Sequence, residues 1–288
     1  MMLKILPLLM LPCLGMAQIN TKVEMPMGEN TTSEKQPLEI KRNATYNLEE
    51  IKVRWKKAAL ENCIGAPCVI TPPAPSFTCG TSTISDIDNN SYETVLIGTQ
   101  CWTKHNLKVT KYNDGSDIPE INGTLTWDNT IVTGARTVYD DLSANLSTYG
   151  YLYNWYAATD SRKLCPAGWH VPTDGEWTTL IKFIDLNAAN AGTQSITAGG
   201  KMKSMGTTLW NPLNTGADNS SGFTALPGGY RRNGPGSFLV IRSRAFFWSA
   251  TTNSTFFAWS RDLYGNNGDV DRDTDSKSDG FSVRCLRD

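Results

Sequence analysis

Cysteine and histidine are the side chains whose chemistry depends most on spacing, and this chain has seven of the first and two of the second. The cysteines are Cys13, Cys63, Cys68, Cys79, Cys101, Cys165 and Cys285, with no CxxC among them. With only His105 and His170 to join them, a zinc site, which draws its ligands from closely spaced Cys and His, is disfavoured. A Ser-His-Asp arrangement would need one of the two imidazoles as its base. His170 lies between Trp169 and Val171 in a segment that reads as core, so it reads as structural. His105, in "CWTKHNL", has no acidic neighbour nearby in sequence, and its surroundings reveal no role for it.

Carboxylate chemistry is the other option. Asp269, Asp271, Asp273 and Asp275 alternate in "GDVDRDTDSKSDG", and Ca²⁺ takes oxygen ligands from acidic loops. The EF-hand pattern nevertheless fails. Counting from Asp269, the sharp-turn Gly position holds Thr274 and the closing Glu position holds Gly280; counting from Asp271, they hold Ser276 and Ser282. In an extended strand the four carboxylates would share one face, where Arg272 and Lys277 would offset part of their charge. The segment reads as a solvated hairpin before the last strand, with Ca²⁺ as the alternative. Asp86, Asp88 and Asn90 imitate the start of such a loop, but Ser91 and Ile97 stand where Gly and Glu are required. Trp127 in "TLTWDN" and Trp210 in "TLWNPL" sit in polar loops. Either could stack on a sugar ring or anchor a partner; the plainer reading is that they anchor their own loops.

These residues need a scaffold, and composition limits its kind. The chain has 288 residues, 27 Lys+Arg against 28 Asp+Glu, 40% hydrophobic and 19% charged. A net charge of -1 offers no case for a nucleic-acid partner. No apolar run reaches the length of a membrane span. The polar load falls on Thr, Asn and Gly, which favour strands, turns and loops. The first 17 residues read as a signal peptide: Lys4, an apolar stretch from Ile5 to Leu14, then Gly15-Met16-Ala17 with small residues where a peptidase cuts. Cleavage near Ala17-Gln18 predicts a secreted, periplasmic or cell-surface protein. Pro12 and Leu11 before Cys13 argue against a lipid anchor. Loss of Cys13 leaves six cysteines, an even number that suits disulfides in an exported chain.

Residues 18–75 read as a polar arm, an amphipathic helix from the Asn47 cap to about Asn62, the Cys63–Cys68 loop and the stiff linker "TPPAPS". From residue 76 to 288 the texture is that of a folded domain. Thr81 to Ser85 and Tyr92 to Ile97 flank a hairpin loop, and Gly98-Thr99-Gln100 turns the chain into Cys101-Trp102. Tyr151 to Ala158 is a compact helix candidate. Thr173 and Glu176 form a capping box before Trp177, Leu180, Ile181 and Ile184, which fall on one helix face. Strands are expected at Ala245 to Ala250, Phe256 to Arg261 and Phe281 to Leu286.

Six segments occur in a telling order: "YETVLIGTQCWTKHNL" (Tyr92 to Leu107), "YGYLYNWYAA" (Tyr149 to Ala158), "CPAGWHVPTDGEW" (Cys165 to Trp177), "SGFTALPGGYR" (Ser221 to Arg231), "FFWSA" (Phe246 to Ala250) and "GFSVRCLRD" (Gly280 to Asp288). Together they resemble the Fibrobacter succinogenes major paralogous domain, from about Cys79 to Asp288. That family is similar to the C-type lectin-like fold and more distantly to formylglycine-generating enzymes. The resemblance implies an α+β, C-type lectin-like domain with two helices, short twisted antiparallel strands and long ordered loops, stapled by disulfides. It implies a Cys165–Cys285 bridge tying the last strand back to the domain. Cys79 and Cys101, flanking the first hairpin, are then expected to pair, and Cys63 with Cys68. The function expected is a non-catalytic binding or structural module of the envelope, recognising a glycan or a cell-surface protein, with no cofactor. Two alternatives stand beside it. One is a formylglycine-generating-like oxidoreductase, which would need a free copper-binding cysteine pair. The other is a calcium-stabilised adhesin, although the Glu-Pro-Asn and Gln-Pro-Asp signatures of calcium-dependent lectins are absent.

Overall fold

A computed structural model describes residues 77–123, 127, 132–234 and 236–288. The expected signal peptide, the expected arm over 18–75 with its helix, and the expected Cys63–Cys68 pair lie outside the described residues. In chain order the elements are β1 (Thr83–Ser85), β2 (Ser91–Ile97), β3 (Gln100–Thr103), β4 (Arg136–Thr137), α1 (Ser143–Tyr149), β5 (Leu152–Tyr153), α2 (Trp155–Ala158), β6 (Trp169–His170), α3 (Asp174–Ile184), β7 (Gly192–Ser195), α4 (Ala198–Met202), β8 (Tyr230–Arg231), β9 (Phe238–Leu239), β10 (Arg244–Thr252), β11 (Phe257–Tyr264), β12 (Val270–Ser276) and β13 (Leu286–Arg287). The fold is strand-rich α+β, with four helices among the described residues where two were expected.

The first hairpin forms as expected, β1 on β2 with Asp86 to Asn90 in its loop. It extends through β3 into a five-stranded sheet of order β1-β2-β3-β13-β6. The chain's last strand thus lies between β3 and β6. Both implied disulfides are present in this region: Cys79–Cys101 and Cys165–Cys285, each with Cα atoms 5.9 Å apart. A second sheet, of order β10-β11-β12-β7, is the platform of the molecule.

Helix α3 starts where its capping box says. Thr173 Oγ1 accepts from the Glu176 N–H at 3.3 Å, and Glu176 Oε2 accepts from the Thr173 N–H at 2.7 Å. The face carrying Trp177, Leu180 and Ile181 is buried against Trp102, Phe223 and Phe247. Each such side chain contributes roughly 1.5–3 kcal/mol by leaving water.

Two expected elements change. Tyr151 to Ala158 is not one helix: Leu152 and Tyr153, both buried, pair with β4, and only then does Asn154 cap α2 by accepting from the Ala157 N–H at 2.9 Å. Phe281 to Leu286 is not one continuous strand. Phe281 and Ser282 make isolated bridges to Tyr153 and Phe247, and regular pairing is confined to β13.

Long loops are tied down by buried cations. The Lys203 ammonium donates to the carbonyls of Thr215, Tyr264 and Asn267 at 2.9, 2.7 and 2.7 Å. The Arg284 guanidinium donates to the carbonyls of Thr103, Phe223 and Thr224 and to Asn106 Oδ1. Buried carbonyls without a ladder partner need such donors. Gly199 permits the close approach, since a Cβ there would run into the Asp269 carbonyl.

Candidate functional site

The register of the second sheet decides which side chains meet. Across β10, β11 and β12, Phe246 faces Asp262, which faces Asp271; Trp248 faces Ser260, which faces Asp273; and Ala258 faces Asp275. Cross-strand partners point to the same side of a sheet. One face therefore carries Asp262, Asp271, Asp273 and Asp275 with Ser260 and Tyr264. The opposite face buries Phe247, Leu263 and Val270 in the core with α3.

Three of these carboxylates have donors within the sheet: Asp273 Oδ1 accepts from the Thr274 N–H at 2.7 Å. The Tyr264 hydroxyl donates to Asp271 Oδ2 at 2.8 Å, and the Ser260 hydroxyl to Asp275 Oδ2 at 2.6 Å. Asp262 differs. Its side chain is 4% exposed and its Oδ1 has no hydrogen-bond partner; Oδ1 of Asp271 is likewise buried and unpartnered. Burial, with Asp275, Asp273 and Asp271 beside it, holds the Asp262 carboxyl well above the usual carboxylate range. Burial pushes Asp275 up to about 6 and Asp279 up to about 7. Asp279 accepts from the Asn233 N–H at 2.7 Å, and the Asn233 amide donates to Ser276 Oγ at 2.6 Å, joining the loop after β8 to the end of β12. Tyr230 packs against Phe246 in a tilted arrangement, ring centres 4.7 Å apart. Arg244 lies over the Tyr264 ring at 4.3 Å and also lines a depression of about 350 Å³ with Asn211, Pro212 and Asn266.

Alternation thus places Asp271, Asp273 and Asp275 together, as strand geometry predicts, on the second strand of a β11–β12 hairpin, with Asp273 exposed and β7 pairing only Val270 to Arg272. Asp269 is not part of the row. It lies in the turn before β12, accepting from the Asn267 amide, near the buried Lys203. The expected neutralising residues also fail to arrive. Arg272 points the other way, as its position in the alternation requires; it pairs with Asp174 at 2.8 Å and stacks on Trp259. Lys277 leaves the strand and donates to the carbonyls of Ser254 and Thr255. No three His, Cys, Asp or Glu side chains converge as a metal-binding group among the described residues.

Other candidates resolve differently. Trp127 and Trp210 are both 0% exposed, so neither presents a ring face to a sugar. Their indole N–H groups donate to the Ser278 carbonyl and to Ser204 Oγ, which is loop anchoring. Asp86 and Asp88 are occupied by protein donors, among them the Asn90 N–H and Tyr92 hydroxyl on Asp86 and the Thr110 hydroxyl on Asp88. His170 has both nitrogens engaged, Nδ1 with Asp288 at 2.6 Å and Nε2 with Glu176 at 3.0 Å. His105 sits 3.9 Å from Glu93, with burial and Arg284 lowering its pKa. Sequence reasoning missed Asp262, Asp279, Tyr230 and Tyr264. The available signal was the alternation Ser260, Asp262, Tyr264 in "WSRDLY", which matches the period of the Asp row once the two strands are paired.

The sequence matches the model of one protein family, the Fibrobacter succinogenes major domain, over residues 95–287. No curated protein and no solved structure matches the chain. The matched segment begins in β2 and ends in β13, so it takes in both halves of the Cys165–Cys285 bridge and every strand of the acidic face. The chain belongs to the Fibrobacter succinogenes major domain family.

Proposed function

We propose that the protein is an exported, non-catalytic binding module of the cell envelope, C-type lectin-like in fold, which engages a surface protein or glycan through the β11–β12 acidic face. The observation that carries this reading is Asp262. A buried carboxyl without a donor costs stability, and natural folds keep such groups chiefly where function uses them. The N-terminal 17 residues support export, with cleavage between Ala17 and Gln18. Two disulfides fit an oxidising compartment, and no helix among the described residues is long and apolar enough to cross a membrane. Against the oxidoreductase alternative stands Cys285, buried and bonded to Cys165, which leaves no thiolate there to ligate copper or attack a substrate.

The test is a screen of the full chain, secreted from its own leader, against arrayed envelope glycans and purified surface proteins. A ligand whose binding is lost in Asp262→Asn and Asp273→Asn, and which is returned chemically unchanged, supports the reading. A ligand indifferent to both variants moves the site elsewhere. A free thiol at Cys285 in the exported protein revives the oxidoreductase. An intact mass that does not begin at Gln18 removes the export argument.

A further inference from the structure

We infer that the β11–β12 face is a receptor for cationic side chains, and that its occupant is an extended, lysine- or arginine-bearing segment of a partner protein. This rests on the reading of the chain as a binding module and decides between the two partner classes left open there.

The first argument is the balance of donors and acceptors. Asp262, Asp271, Asp273 and Asp275 crowd one side of two adjacent strands. The protein's own donors reach Asp271 through Tyr264, Asp273 through the Thr274 N–H and Asp275 through Ser260, and leave Oδ1 of Asp262 and Oδ1 of Asp271 unpartnered. Ammonium and guanidinium groups are donors with no acceptor. They suit a surface that lacks donors better than hydroxyls, which bring an acceptor for every donor. A charged donor on a desolvated carboxylate also makes a stronger bond than a neutral one.

The second is spacing. Asp271, Asp273 and Asp275 follow at every second residue of β12, a repeat of about 6.7 Å. Ligand oxygens on one Ca²⁺ lie within roughly 5 Å of each other, and no three carboxylates converge among the described residues. A row with this repeat fits a row of cations with the same repeat, which is what alternate basic residues of an extended peptide provide.

The third is the fate of the chain's own cations. Arg272 and Lys277, the nearest in sequence, are committed elsewhere, to Asp174 and to the carbonyls of Ser254 and Thr255. Arg244 lies 4.3 Å over the Tyr264 ring and its charge offsets part of that on Asp262, while Asp262 Oδ1 still has no donor. The aromatic rings of Tyr230 and Tyr264, both half-buried, flank the row and add a cation–π surface.

The experiment uses a fluorescent, N-acetylated Lys-Ser-Lys-Ser-Lys amide and its Gln-for-Lys counterpart, titrated with the full chain at physiological salt and read by anisotropy. Saturable binding of the lysine peptide, at least about tenfold tighter than the glutamine peptide, is expected. Asp273→Asn, at an exposed position, weakens it by about tenfold, the worth of one charge-assisted hydrogen bond. Asp117→Asn, an exposed carboxylate on another loop, leaves it unchanged. Asp262→Asn weakens it too, and Asp273→Asn keeps the test decisive if the buried variant fails to fold. Equal affinity for both peptides, or indifference to Asp273→Asn, overturns the inference. So does a calcium-induced rise in melting temperature that disappears in Asp271→Asn, which would assign the face to a metal. A glycan hit that depends on Asp262 with no peptide binding sinks this inference alone; a blank in both screens sinks the proposed function with it.

Discussion

Asp262 and Asp271 stand directly opposite each other on β11 and β12, and each keeps one buried carboxylate oxygen without a hydrogen-bond donor. Like charges facing each other across a ladder destabilise a sheet. Burial and the neighbouring Asp275, Asp273 and Asp271 hold the Asp262 carboxyl well above the usual carboxylate range, which lowers that cost. A cationic ligand on the face would offset the same repulsion.

Stability is accordingly expected to fall as pH rises from about 4 to about 7. Asp275 and Asp279 are pushed up to about 6 and about 7 in the folded protein, against about 3.9 for an ordinary aspartate. The folded state therefore binds more protons than the unfolded state across that window, and the slope of stability with pH is negative. Carboxylates shifted the other way, such as Asp174 and Glu176, lose their contribution only below the ordinary carboxylate range. Melting is expected to be higher at pH 5 than at pH 7.5 by a few degrees, on the order of 2–4 °C per kcal/mol for a domain of this size. Asp279→Asn flattens the slope; an unchanged slope would mean that Asp279 is ionised throughout.

The two disulfides are expected to differ in weight. Cys165–Cys285 closes a separation of 120 residues and Cys79–Cys101 one of 22. In the chain-entropy account these correspond to about 5 and about 3.5 kcal/mol. The paired serine replacement of Cys165 and Cys285 should lower the denaturation midpoint more than that of Cys79 and Cys101, and peptide mapping under non-reducing conditions should recover both bridges. The reverse order of midpoints would show that the long loop retains structure when unfolded.

Lys203 is expected to be worth more than any exposed ion pair. In Lys203→Met the carbonyls of Thr215, Tyr264 and Asn267 lose their common donor, the fully buried ammonium that they share. At about 1–3 kcal/mol for each unsatisfied group, the loss should exceed about 3 kcal/mol. Urea denaturation measures it. Breaking the exposed Lys104–Glu93 pair by Lys104→Met should cost under about 1 kcal/mol. Equal losses would mean that water reaches the three carbonyls.

What could be read from sequence was local. The Thr173–Glu176 box needs only four consecutive residues, and the first hairpin only its turn and flanks, so both were visible. The Asp row was visible as alternation, but its meaning was not. Its partners Asp262 and Tyr264 are seven or more residues away, and only the β11–β12 register brings them onto the same face. Arg272 looked like a neutralising neighbour because sequence proximity hides the side of the strand; its position puts it with Asp174, nearly a hundred residues upstream. For Trp127 and Trp210 the plainer reading, loop anchoring, is the one the structure favours over a sugar-stacking face. A polar context suggests exposure, yet both indoles are buried and donate to a carbonyl and a hydroxyl.

Calcium gives the sharpest contrast, because the same row of aspartates first suggested it. Saturating Ca²⁺ at a site about a thousandfold below its concentration would add roughly 4 kcal/mol, a rise on the order of 10 °C. The expected result is no such rise between calcium and EGTA. The carboxylates repeat along β12 at strand spacing instead of wrapping a point, and the described residues contain no converging set of three. The loops a divalent ion would tie are already tied: Lys203 and Arg284 supply buried positive charge to backbone carbonyls on both sides of the core. Asp86 and Asp88, the other loop of calcium-like sequence, have their oxygens filled by Asn90, Tyr92 and Thr110. Differential scanning fluorimetry of the full chain in both buffers decides the matter. A shift of several degrees that persists in Asp273→Asn but vanishes in Asp86→Asn would place the ion at the first hairpin and leave the acidic face to its cationic partner.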